Sequence, residues 1–167
     1  MVSILLSIPL LSLVSILQTT VVSRMPLLQG TADLVMLFLI AWSLQERVQH
    51  PWQWAVVGGV LTDFFSGLPF GVFTASYLAL TGLVQLLGQR LWRFTVLIQL
   101  FLTLLGTMLT HMVSALVIII QGTRLEFLNV LRTITLPSLL LNILLTIPVY
   151  IIVQDLAGQI YPQELEI

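Results

Sequence analysis

Four stretches of this sequence each run for more than twenty residues without a charged side chain. They are residues 1–23, 64–89, 94–123 and 133–154. A helix needs about 20 mostly apolar residues to cross the hydrocarbon of a bilayer. Because only 8% of the 167 residues are charged and 58% are hydrophobic, the chain lacks the polar surface of a soluble domain. The sequence therefore predicts an integral membrane protein and excludes a disordered chain or a nucleic-acid-binding protein.

Two further apolar segments, 34–45 and 48–62, are bounded by charges and are short for a full crossing. Inside a bundle this shortfall is tolerated, because neighbouring helices shield irregular backbone from lipid. The sequence thus predicts an all-α membrane protein, a six-transmembrane helix bundle formed by a single domain, residues 1–167. The predicted spans are approximately 2–23, 31–46, 51–65, 69–89, 94–121 and 133–155.

Alternation of six spans sorts the charges onto two sides of the membrane. Asp33 and Asp63 fall on one side, because one begins the second span and the other ends the third. The six arginines divide three against three, so the positive-inside rule gives no orientation. The tryptophans all fall near the side that bears the termini, which predicts an interfacial aromatic belt. They are Trp42, Trp52, Trp54 and Trp92.

The stretch from residue 58 to residue 71, GGVLTDFFSGLPFG, carries the most specific pattern in the chain. Its paired glycines allow another helix to approach closely. A serine-glycine pair is predicted to end the third span, Pro69 suits the first turn of the fourth, and Gly71 permits close packing. The pattern predicts a tight hairpin that is structural or binds a partner. Its residues are Gly58, Gly59, Asp63, Gly67, Pro69 and Gly71.

Asp33 and Asp63 lie within or beside predicted spans and are candidates for a functional site, because an ionisable group in a membrane costs free energy. Asp63 has two alternatives: it caps nearby backbone N–H groups or pairs with an arginine, or it contacts a ligand or partner directly. Asp33 lies in the predicted first turn of the second span, where negative charge suits the helix dipole. Thr31 is the predicted N-cap of that helix.

Polar side chains recur at helical spacing along several spans, which leaves two alternatives. They form hydrogen bonds between packed helices, or they line a polar cavity. His111 is either a proton relay or ligand, or a neutral histidine bonded to a threonine or asparagine. The residues predicted for a polar pocket are Asp33, Thr107, His111 and Asn142.

Catalytic and cofactor signatures are missing from the sequence. It contains no cysteine, no phosphate-binding glycine loop and no serine-nucleophile motif. His50 and His111 lie in different regions, so no metal site is expected. The sequence therefore predicts a protein that is not an enzyme and that has no cofactor.

The chain resembles the rod shape-determining protein MreD family. The resemblance rests on the length, the six predicted spans, a short second span opening with Asp33-Leu34, and the 58–71 hairpin. It implies a component of the cell-elongation (rod) complex in the bacterial cytoplasmic (inner) membrane, with both termini cytoplasmic. The end of the bundle with Asp33 and Asp63 would then face the extracytoplasmic side.

The resemblance also implies partners. They are an MreC-like single-pass membrane protein and, indirectly, MreB, RodA and a class B penicillin-binding transpeptidase. The chain could also form a homo-oligomer within the complex, and the resemblance leaves this question open. The expected function is a non-enzymatic membrane scaffold that binds MreC and helps control cell shape and peptidoglycan synthesis.

A second hypothesis remains open, because MreD-like chains look similar in fold to the substrate-binding subunits of energy-coupling-factor transporters. The chain would then be a small-molecule-binding membrane subunit of such a transporter. The small residues Ser3 and Ser7 would dock the ATP-driven module.

Overall fold

The computed structural model describes residues 2–20, 29–88 and 95–161 of the chain. This part contains six helices and no strand, which confirms the predicted all-α fold. They are α1 (Val2–Thr20), α2 (Leu34–Ser43), α3 (Pro51–Phe65), α4 (Val72–Gly88), α5 (Thr95–Ile120) and α6 (Phe127–Ile160). The ends of the predicted spans at 21–23, 89 and 94 lie outside the described residues, as do Arg24, Arg90, Trp92, Arg93 and the charges after 161.

Two of these helices, α5 and α6, are long and apolar enough to cross a membrane. Large apolar side chains stand exposed along both, among them Leu104, Met112, Leu144 and Ile152. Contiguous apolar surface on this scale is unfavourable in water, whereas it suits a lipid environment. That all six helices cross the bilayer stays a prediction.

The shortest helix, α2, occupies the centre of the bundle. All residues from 35 to 42 are buried, and α2 packs against each of the other five helices. Ten residues advance only about 15 Å, so α2 is shorter than the predicted span 31–46. Because protein surrounds it on every side, its irregular ends are shielded from lipid.

Residues 29–33 form an extended segment that runs along the beginning of α6. Every second N–H group of the segment donates a hydrogen bond to α6. Gln29 donates to the Thr133 carbonyl at 3.1 Å, Thr31 to Ser138 Oγ at 3.0 Å, and Asp33 to Asn142 Oδ1 at 2.8 Å. Two extended residues advance about 6.6 Å. The acceptors follow one another after five and then four helical residues, which advance about 7.5 and 6 Å, so the spacings of donors and acceptors are similar.

A proline and a glycine make this close pairing feasible. Pro137 has no N–H group, so it cannot bond back to the Thr133 carbonyl, which instead accepts from Gln29. The preceding turn of α6, Leu131–Thr135, is a π-helix. A Cβ atom at Gly30 would lie 2.5 Å from the Ser138 nitrogen, so any larger residue would push the segment away from α6.

The hairpin between α3 and α4 depends on the paired glycines. A Cβ atom on Gly59 would lie 2.4 Å from Thr74 Cα, so the backbones of α3 and α4 touch at this point. Gly58 faces α2 instead, where a Cβ atom would lie 3.1 Å from a Val35 methyl group. The two glycines therefore set the packing of α3 against two different helices.

The end of the hairpin differs from the sequence prediction in two respects. Helix α3 ends before Ser66, its C-cap, but α4 begins only at Val72, so Pro69 lies in the preceding turn and not in the first helical turn. Gly71 has a φ of +101° and open space where a Cβ atom would be. It provides a left-handed backbone conformation rather than close packing.

Trp42 and Trp54 also differ from the interfacial position that the sequence predicts. Both are fully buried, and their ring centroids lie 4.2 Å apart beside the ring of Phe38. Trp52, by contrast, is half exposed. The aromatic cluster of Phe38, Trp42 and Trp54 therefore belongs to the core that encloses α2.

Replacing Gly59 by alanine tests the contact between α3 and α4. We expect Gly59→Ala to destabilise the protein by about 1–3 kcal/mol, because the added methyl group meets backbone. Thermal unfolding in detergent measures the change. Gly67→Ala is the matched control, since a Cβ atom there meets nothing within 4 Å. Equal melting temperatures for the two variants would contradict the close contact.

Candidate functional site

Asp63 caps the beginning of α4. Its side chain is only 4% exposed, and its two oxygens accept four hydrogen bonds. Oδ1 accepts from the Phe73 N–H at 2.8 Å, and Oδ2 accepts from the N–H groups of Gly71 (2.9 Å) and Thr74 (3.1 Å) and from Thr74 Oγ1 (2.6 Å). The first N–H groups of a helix have no partner within it, and in a membrane no water replaces one. Of the two alternatives for Asp63, the structure shows capping.

Asp33 caps α2 in a similar way. Its Oδ1 accepts from the Met36 N–H at 2.9 Å, and its Oδ2 accepts from the Tyr77 hydroxyl at 2.7 Å. The neighbouring Val35 N–H donates to Gln18 of α1 at 3.1 Å. The N-cap is therefore Asp33 itself, and the prediction of Thr31 as N-cap is wrong because Thr31 lies in the extended segment.

The cap of α2 continues into a buried hydrogen-bonded network between α5 and α6. Asn142 accepts from the Asp33 N–H through Oδ1 and donates through Nδ2 to Thr107 Oγ1 at 2.9 Å. Thr107 in turn donates to the Thr103 carbonyl at 2.8 Å, and Thr146 donates to Thr103 Oγ1 at 3.2 Å. The structure thus joins Asp33, Thr107 and Asn142, and at this place the polar stripes form hydrogen bonds between packed helices.

A cavity of about 360 Å³ lies beside this network, at the end of the bundle where α2 begins and α3 ends. Asp33 and His111 line it, whereas Thr107 and Asn142 lie behind it in the packed interior. Its polar wall includes Gln18, Thr31, Thr62, Ser66, Thr110 and Ser114, and its apolar wall includes Phe65, Phe73, Ala115, Ile118, Leu125, Val130 and Ile134. The site is therefore an open, mostly apolar cavity whose polar wall consists of hydroxyl and amide groups, His111 and the capping carboxyl group of Asp33.

His111 links this cavity to the π-helical turn of α6. Its Nδ1 lies 3.1 Å from Thr135 Oγ1, so the structure gives it a hydroxyl partner. Among the described residues, no group of three or more histidine, aspartate or glutamate side chains is placed to hold a metal ion. His111 thus lines the cavity wall and forms a hydrogen bond with a threonine of α6.

Sequence reasoning missed Gly30 and Pro137, which bring the extended segment onto α6. A glycine three residues before a capping aspartate, and a proline near the start of a long apolar run, were the available signals. Neither signal identifies the segment that it packs against, because more than 100 residues separate the extended segment from its contacts on α6.

Comparison with known proteins gives the family. The model of the family described as rod shape-determining protein MreD matches residues 2–160, nearly the whole chain. The chain belongs to the MreD family. No curated protein and no solved structure matches it significantly, so the likeness to energy-coupling-factor subunits stays a prediction.

Membership of the MreD family places the chain in rod shape determination. The family is a shape-determining structural component and not a known enzyme family. Together with the apolar helices α5 and α6, it indicates a membrane protein.

Removing the Asp63 carboxylate tests its capping role. We expect Asp63→Ala to destabilise this MreD-family chain by about 3 kcal/mol, because several buried donors lose their acceptor. The midpoint of thermal or denaturant unfolding in detergent measures this. Asp155→Ala is the matched control, because Asp155 is exposed and accepts from Gln159 one turn away. A loss no larger than that of the control would contradict the capping role.

Proposed function

We propose that this chain is a non-enzymatic scaffold of the bacterial cell-elongation complex and binds an MreC-like single-pass membrane protein. Through that partner it acts indirectly with MreB, RodA and a class B penicillin-binding transpeptidase, and so helps to control peptidoglycan synthesis. The family match supports the role in shape determination.

The cavity beside Asp33 is the observation that carries this proposal. Asp33 is the one charged residue among the described residues that line it, and both its oxygens already accept hydrogen bonds. The Asp33 oxygens are therefore already engaged within the fold, and the other polar groups of the lining are hydroxyls, amides and the His111 imidazole. Apolar walls with neutral donors and acceptors suit a short polypeptide segment, whose backbone offers matching polar groups.

The place of the cavity fits a partner that crosses the membrane once. In the proposed orientation, both termini lie in the cytoplasm and the cavity opens toward the extracytoplasmic side of the inner membrane. A single-pass partner would pack its helix against the outside of the bundle. The chain segment that leaves this helix would then enter the cavity at the level of Asp33.

The packed interior supports the same proposal. The polar side chains of α5 and α6 bond to each other and to the cap of α2, so they do not open into a channel. Rigid packing of this kind suits a protein that holds a partner in place.

The transporter hypothesis remains the second candidate because of the size of the cavity. Small-molecule sites commonly occupy about 300–1,000 Å³, and this cavity reaches about 360 Å³. The proposed docking pair is weakened, however, because Ser7 is fully buried within the chain. The side chain of Ser3 lies outside the described residues.

Filling the cavity tests the scaffold proposal. We expect Ser114→Phe to lower capture of the co-expressed MreC-like partner by the tagged chain about tenfold, because the added ring occupies the space for the partner segment. Quantitative affinity purification in mild detergent measures capture. Leu116→Phe is the matched control, because Leu116 is exposed on another face of α5 and should leave capture unchanged.

Two results would overturn the proposal. One is capture of the partner at the wild-type level by Ser114→Phe. The other is purification of the wild-type chain with an ATPase pair and a membrane coupling subunit, which would establish the transporter hypothesis.

A further inference from the structure

A second, smaller surface feature lies where α6 begins, next to the cavity proposed for the partner. The two features share His111, Ala115, Leu125 and Val130 as wall residues. An apolar groove of about 100 Å³ separates the end of α5 from the start of α6. Its lining includes Met112 and Phe127, which are 65% and 68% exposed. Since both helices are long enough to cross a bilayer, the groove opens toward the space that lipid chains occupy.

A polar concavity adjoins this groove. It is lined by Glu126, Phe127, Leu128, Asn129 and Arg132, and Phe127 belongs to both features. The concavity therefore combines one carboxylate, one guanidinium and one side-chain amide at the edge of an apolar groove.

The two charges of the concavity are available to a ligand. Within the described part of the chain, the side chains of Glu126 and Arg132 have neither a hydrogen-bond nor an ion-pair partner. Both residues are exposed. A ligand that matches them carries a negative and a positive group close together and an apolar tail.

We propose that this concavity and groove bind a zwitterionic aminophospholipid, of which phosphatidylethanolamine is the probe. The phosphate pairs with Arg132, whose planar guanidinium suits phosphate oxygens. The ammonium group donates hydrogen bonds to Glu126, and Asn129 donates to a phosphate or ester oxygen. One acyl chain lies in the groove between α5 and α6.

The charge pattern distinguishes this lipid from two others of similar shape. A choline headgroup has no N–H group, so it cannot donate a hydrogen bond to Glu126. An anionic headgroup without an amine leaves Glu126 next to a phosphate of like charge. The site is therefore expected to retain phosphatidylethanolamine in preference to both phosphatidylcholine and phosphatidylglycerol.

Native mass spectrometry of the detergent-purified full chain tests the proposal. The chain is mixed with equal amounts of phosphatidylethanolamine, phosphatidylcholine and phosphatidylglycerol, and the retained lipid is counted. We expect one phosphatidylethanolamine per chain, and about fivefold less of it on Arg132→Gln, the loss that one interfacial arginine accounts for. Glu126→Leu should abolish the preference for phosphatidylethanolamine over phosphatidylcholine, because leucine has no acceptor for the ammonium group.

Arg124→Gln is the matched control, because Arg124 is exposed and nearby in sequence but does not line the concavity. It removes the same charge and should retain phosphatidylethanolamine like the wild type. All three substitutions are at exposed positions, so the variants are expected to fold. Equal retention of the three lipids by the wild type, or equal losses for Arg132→Gln and Arg124→Gln, would overturn the proposal.

Discussion

The first N–H groups of α2 have no partner within the helix and need acceptors from elsewhere, and much of the bundle is arranged around this constraint. A helix that starts inside a membrane protein exposes N–H groups that cost several kcal/mol each if they stay unpaired. Here α1, α2 itself and α6 each provide an acceptor, through Gln18, Asp33 and Asn142. The position of α2 therefore fixes the positions of helices at both ends of the sequence. The cavity is the space left beside this junction.

Two aspartates have the same physical task in different surroundings. Asp33 caps a helix at the centre of the bundle and joins α4 through Tyr77, whereas Asp63 closes the hairpin onto α4 by itself. A carboxylate at the start of a helix also interacts favourably with the helix dipole. In both places a carboxyl group caps a helix, and apart from Asp33 the polar groups that line the cavity are hydroxyl, amide and imidazole groups.

The sequence predicts the broad architecture well, because runs of apolar residues between charges directly reflect the thickness of a bilayer. The Gly58–Gly59 pair and the stop at Ser66 are likewise visible, since close packing and helix ends have local signatures. The role of Gly71 and the burial of Trp42 are not visible in the sequence, because each depends on a neighbour that folding brings near. For the same reason, the sequence does not distinguish Asp33 and His111, which line the cavity, from Thr107 and Asn142, which lie in the packed network. Spacing shows a shared helical face but does not show whether that face meets space or another helix.

The pairing of residues 29–33 with α6 has a consequence for the order in which the chain assembles. The acceptors for Thr31 and Asp33 lie 107 and 109 residues further along the sequence. At a synthesis rate of about 5–20 residues per second, roughly 5–20 s pass before these acceptors emerge. The start of α2 is incompletely capped throughout this interval. Helix α2 can therefore reach its final packed position only after the last helix has been synthesised. The bundle therefore closes after translation of α6, and truncation before that helix leaves the centre of the protein unfinished.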